Sequence, residues 1–148
     1  MSQVSPQLRR FAQRLLAYEA SLKSKSSDGT RHATLQVIDE LRPHVVNLMG
    51  MAGFRAFLSR AVAHSSEEVR WLRAVHVEAD GSLGGFEEYA SLGAGQFAEG
   101  KVVLLAQFLE MLVALIGVPL TLRMVFEIWP TFARQSQSRN GEAHEKEK

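Results

Sequence analysis

Cysteine is absent from the 148 residues, and that absence removes disulfide staples, thiolate zinc sites, iron–sulfur clusters and cysteine nucleophiles together. It fits a reducing compartment. The opening residues MSQVSPQLRR lack the apolar core of a signal peptide, so the expected location is cytoplasmic, with no cleaved leader.

The residue patterns of common catalytic sites are missing as well. Histidines stand at 32, 44, 64, 76 and 144, and none has a second histidine three or four positions away, the spacing that sets two ligands on one helix face. The acidic pairs Glu67-Glu68 and Glu87-Glu88 are sequence neighbours, which on a helix point about 100° apart rather than into one cleft. Ser59 and His64 have no GxSxG elbow around them. The glycines of DGSLGG (80–85) lack the Lys-Ser/Thr of a phosphate loop. These gaps assign no catalytic, metal or cofactor-binding residue and no cofactor, and they favour a non-enzymatic protein.

Charge of one sign is in short supply. The net charge is +1 and the isoelectric point about 8.2. Residues 1–70 hold ten Lys+Arg against six Asp+Glu, and residues 71–148 hold seven against ten. A basic excess spread so thinly is not the clustered footprint of a nucleic-acid binder, so no nucleic-acid partner is expected.

What the chain does have is a dense apolar run. Fifteen of the seventeen positions 102–118 are apolar or glycine, and the two exceptions are Gln107 and Glu110. A membrane span needs about 20 mostly apolar residues, and an acidic side chain at its centre costs roughly 3 kcal/mol on insertion scales. Glu110 therefore argues for a soluble helix. Gln107, Glu110, Ala114, Gly117 and Thr121 follow at spacings of 3, 4, 3 and 4, which places them on one polar-to-small stripe of a helix otherwise apolar all round. Together with Trp129, a buried-aromatic anchor type, they are the candidate interface residues.

Helical periodicity recurs elsewhere. Ser5-Pro6 is a helix start, with serine as N-cap and proline at the first helical position. Leu8, Phe11, Leu15, Glu19 and Leu22 then trace one face. The polar stretch 23–30 reads as a loop. Leu35, Ile38, Leu41, Val45 and Leu48 form a second helix, expected to kink near Arg42 because of Pro43 and to close at Gly50 and Gly53. Phe54, Phe57, Leu58, Ala61 and Val62 form a third, and Ser65 with Glu68 reads as a capping box opening a short fourth. Val75 to Ala79 reads as a lone extended piece without a partner strand, and Phe86 to Ala98 as a weak helix.

The expected fold is an all-α, single-domain helical bundle of about five to seven helices with a long apolar central helix. Residues 1–130 form the helical domain. Residues 131–148, polar throughout most of their length, form a disordered tail. The favoured function is a protein-interaction or adaptor module whose partner is another protein or a second copy, joined through the 96–129 helices. A Glu110–Arg123 contact between antiparallel copies would be the polar element of that interface. Two alternatives follow from the same region: a membrane-docked or membrane-active helical protein, and a small-molecule-binding bundle with Glu110 and Gln107 inside the pocket.

Overall fold

A computed structural model describes residues 5–23, 36–85 and 94–134. The described chain is mostly helical, in the order α1 (Pro6–Lys23), α2 (Gln36–Glu68), a short 3-10 helix (Arg70–Ala74), strands β1 (His76–Val77) and β2 (Leu83–Gly84), α3 (Ala94–Ile116) and α4 (Val118–Ile128). A last helical turn covers 130–134.

The start of α1 follows from its first two residues. Ser5 Oγ accepts the Leu8 amide at 3.3 Å and the Ser5 carbonyl accepts the Arg9 amide at 3.0 Å, so the cap supplies acceptors for amides that have no intrahelical partner. Ala12 and Leu15 of its apolar face are fully buried. Arg9 on the flank makes a bidentate pair with Glu68, both N···O distances 2.9 Å.

Helix α2 passes through Pro43 without leaving helical dihedrals, and its break lies at Gly50 (φ 81°, ψ 165°). The kink expected near Arg42 is absent, while the break at Gly50 falls where the sequence closes this helix. Leu41 and Val45 on either side of the proline are fully buried, and this packing outweighs the loss of one backbone hydrogen bond. Ser65 does not open a new helix. It is buried within α2, and its hydroxyl donates to the Ala61 carbonyl at 2.8 Å, the back-bonding that a mid-helix serine adopts. The chain then tightens into the 3-10 helix, which has no side-chain cap.

The extended piece does find a partner. Val77 pairs with Leu83 and His76 with Gly84 in a two-residue antiparallel ladder. Gly81 takes a positive φ of 87°, its amide donates to Glu78 O at 3.0 Å, and Asp80 Oδ1 accepts both the amide and the hydroxyl of Ser82 at 3.0 and 2.6 Å. Asp-Gly is therefore a true hairpin signal, obscured because its second strand offers one apolar residue, Leu83.

No long apolar central helix is found; the sequence places a helix from about Gln96 to Ile116 and leaves open whether Val118-Pro119 kinks it or begins the next, and the structure shows the second. Helix α3 ends at Ile116, and Gly117 (φ 91°, ψ 161°) turns the chain directly into α4. Pro119 explains the stop, since it has no amide hydrogen to return to the Leu115 carbonyl. Before that stop, residues 103–109 are buried on every side, as α3 packs against α1, α2 and α4. Phe108 sits between Phe54 and Phe57 in edge-on contacts, ring centroids 6.3 and 5.3 Å apart. Phe132 belongs to the same core, edge-on to Phe11 at 5.6 Å and packed on Tyr18 at 5.6 Å. The helical body therefore runs past the expected boundary at 130, because Phe132 and Ala133 are buried. The weak helix expected over 86–98 is described only from Ala94 onward; its first part, the polar stretch 24–30 and the tail from 135 lie outside the described residues.

Candidate functional site

The structure divides the six candidate interface residues. Gln107, Thr121 and Trp129 are buried within the chain, the Thr121 hydroxyl donating to the Gly117 carbonyl at 2.8 Å, and Gly117 forms the turn between α3 and α4. Glu110 is half-buried and Ala114 exposed, one turn apart near the end of α3. Glu110 and Gln107 do not share a pocket: Glu110, Ala114 and Thr121 line a groove that Gln107 does not reach. Arg123 is occupied on its own helix, 3.7 Å from Glu127.

Exposed apolar side chains identify a surface more directly than the stripe does. Leu48 (53 % exposed) and Met51 (39 %) flank the Gly50 break, while Leu115 (59 %), Val118 (51 %) and Leu120 (51 %) flank the Gly117 turn. The second segment of α2 runs antiparallel to α3. Gly53 and Leu115 line one groove, Phe57 meets Phe108, and Trp71 hydrogen-bonds through Nε1 to the Gln96 carbonyl at 3.4 Å. Both glycine breaks therefore lie at the same end of this helix pair, and the exposed apolar residues gather there.

Two grooves border that end, on either side of Ala114. The first, of about 470 Å³, is lined by Gly53, Ala56, Phe57, Arg60, Met111, Ala114 and Leu115. Gly53, Ala56 and Ala114 are its small residues, Arg60 is the one charge among the described residues lining it, and the exposed Leu115 forms its edge. The second, also about 470 Å³, lies between the start of α1 and the α3–α4 turn; Leu8, Phe11, Val113 and Leu122 form its walls and Glu110 its acidic end. Ser5 donates its amide to Glu110 Oε1 at 3.4 Å.

Sequence reasoning missed a buried polar centre near the other end of α1. Trp129 Nε1 donates to Glu19 Oε2 at 2.8 Å, with both residues over 90 % buried. Glu40 adjoins this pair, and its carboxyl is held above the usual glutamate range, first by burial and then by repulsion from Glu19 and a hydrogen bond to it. The available signal was Glu19 on the apolar face, four residues after Leu15. Close by in sequence, Asp39 is raised by burial, against the attraction of Arg42, whose guanidinium lies 3.5 Å away. Asp80 is lowered by the hydroxyl and amide of Ser82.

A third depression, of about 480 Å³, is lined by Ser59, Ser66, Arg73 and His76 among others. His76 Nε2 is 2.9 Å from Glu78 Oε2, and Ser66 gives its proton to the Ala63 carbonyl at 2.8 Å. Among the described residues no group of three or more His, Asp or Glu is placed to hold a metal ion, and no helix is long and apolar enough to cross a membrane. No family model, curated protein or solved structure matches the chain.

Proposed function

We propose that this chain is a helical-bundle interaction module that associates with a second copy of itself through the end formed by the Gly50 and Gly117 breaks. The observation that carries the reading is the placement of an exposed Leu115 at the edge of a groove lined by Gly53, Ala56 and Ala114. A two-fold interface must be complementary to itself, because the same patch serves both partners. A projecting leucine next to a hole of small residues meets that demand. Each copy's Leu115 enters the other's groove.

Composition supports the same reading. The centres of protein interfaces are depleted in charge and enriched in aromatic residues, Met and Arg, and this groove is walled by Phe57, Met111 and Arg60. Large exposed apolar patches mark partners or membranes, and five large apolar side chains project at this end. The interaction and adaptor role, a cytoplasmic setting and the absence of catalysis are parts of this proposal.

Analytical ultracentrifugation over a range of concentrations tests it. The expected result is a species of twice the 16.5 kDa chain mass that Leu115→Asp converts to monomer while leaving the helical circular dichroism unchanged. A wild-type chain that stays monomeric at high concentration, or that pellets with anionic vesicles through these same residues, would sink the proposal.

A further inference from the structure

The geometry points to the groove between α1, α3 and α4 as a binding site for a small amphiphile with a cationic head, its chain on the apolar walls and its ammonium on Glu110. The groove's volume of about 470 Å³ falls within the roughly 300–1,000 Å³ of small-molecule sites, which typically join apolar walls to a few convergent polar groups. Leu8, Phe11, Leu109, Val113, Val118 and Leu122 supply those walls.

Charge decides the head group. Among the described residues Glu110 is the one ionisable residue lining the groove, and it has no cationic partner among them. Its Oε1 receives a single long hydrogen bond from the Ser5 amide at the start of α1, where the helix dipole favours a carboxylate. Oε2 has no partner among the described residues, so it is available to a charge-assisted donor. Thr121 does not compete, because its hydroxyl proton is engaged by Gly117 O at 2.8 Å. An anionic head would meet like charge at this end, and a neutral alcohol would donate to the carboxylate without the added attraction of opposite charges.

This inference is separable from self-association because Leu115 does not line the groove, although Ala114 borders both grooves and Val118 projects at the same end, and it is tested on the Leu115→Asp chain to keep the two separate. Octylammonium, octanol and octanoate are titrated calorimetrically at neutral pH into that chain and into the same chain carrying Glu110→Gln. The expected order is octylammonium tightest and octanoate weakest. The amine's advantage over the alcohol is about tenfold, from the attraction of opposite charges added to a hydrogen bond that both probes make, and Glu110→Gln abolishes it. A Val113→Trp variant, which fills the groove, weakens all three probes. Equal affinity for the three, a preference that survives Glu110→Gln, or binding indifferent to Val113→Trp would overturn the assignment.

Discussion

Trp129 donates its indole N–H to Glu19 Oε2 at 2.8 Å across 110 positions of sequence, and both residues are buried. The bond ties the first helix to the end of α4, so it stabilises long-range closure rather than a local turn. Trp129→Phe keeps an aromatic ring and removes the donor, leaving a buried carboxylate oxygen unsatisfied. The expected loss is about 1–3 kcal/mol in urea unfolding. The second substitution Glu19→Gln, made in the chain that already carries Trp129→Phe, should cost less than it does alone. Additive losses would mean that the two groups do not act on each other.

Glu40 gives the fold a pH dependence of defined sign. Its carboxyl is raised above the ordinary value of 4.5 by burial and by Glu19, so the folded chain holds this proton more tightly than the unfolded chain does. Its favourable contribution is present below the unfolded value and is lost as pH rises through the higher folded one. Asp39 works in the same direction and Asp80 in the opposite one. Glu40→Gln should therefore be more stable than wild type at neutral pH, with the gap closing once the pH falls to the ordinary carboxylate range. A gap that stays constant between those conditions would contradict this assignment.

Gly50 and Gly117 share one backbone conformation, positive φ with extended ψ, a region open in practice to glycine alone. Neither position is crowded: a Cβ at Gly50 would meet nothing within 4 Å, and one at Gly117 would meet only Pro119 Cδ at 3.7 Å. Alanine at either site is therefore expected to destabilise through dihedral strain alone, by about 1–3 kcal/mol. Crystal structures of the two variants would check the mechanism, since a relaxed helix running straight through either position would show that the break is not obligatory.

Phe108 is the aromatic hinge between α3 and both aromatic positions of α2. Truncation to alanine should cost about 3–5 kcal/mol, the range for a buried aromatic whose cavity cannot collapse. Thermal unfolding followed by circular dichroism measures it, and a loss under about 1 kcal/mol would mean that the core is not packed around this ring.

Helical periodicity and chain breakers carried most of what was legible in the sequence. The Ser5-Pro6 start and the Phe54-to-Val62 face follow from spacing and from the fixed backbone of proline, whereas Val118-Pro119 signals a kink or a new helix without deciding between them. Pro43 misled because burial of Leu41 and Val45 is a tertiary effect invisible to local rules. Ser65 misled because a serine three residues before a glutamate looks the same whether it caps a helix or bonds back within one. Phe132 was lost in a polar surrounding, although a single aromatic residue suffices to anchor a helical turn. Of the candidate site, Glu110 and Ala114 were legible from the stripe. Gly53 and Ala56 were not, because their role depends on α2 lying antiparallel to α3.

Self-association through the Leu115 face is the central claim, and concentration-dependent light scattering on the eluting chain tests it most directly, with Ala56→Trp as the comparison. Ala56 lines the groove without touching the Glu110 site. The account predicts a wild-type mass that rises toward twice 16.5 kDa with concentration and an Ala56→Trp chain that stays at the single mass. A wild-type chain fixed at 16.5 kDa at every concentration, or an Ala56→Trp chain that dimerises as well as wild type, would contradict it.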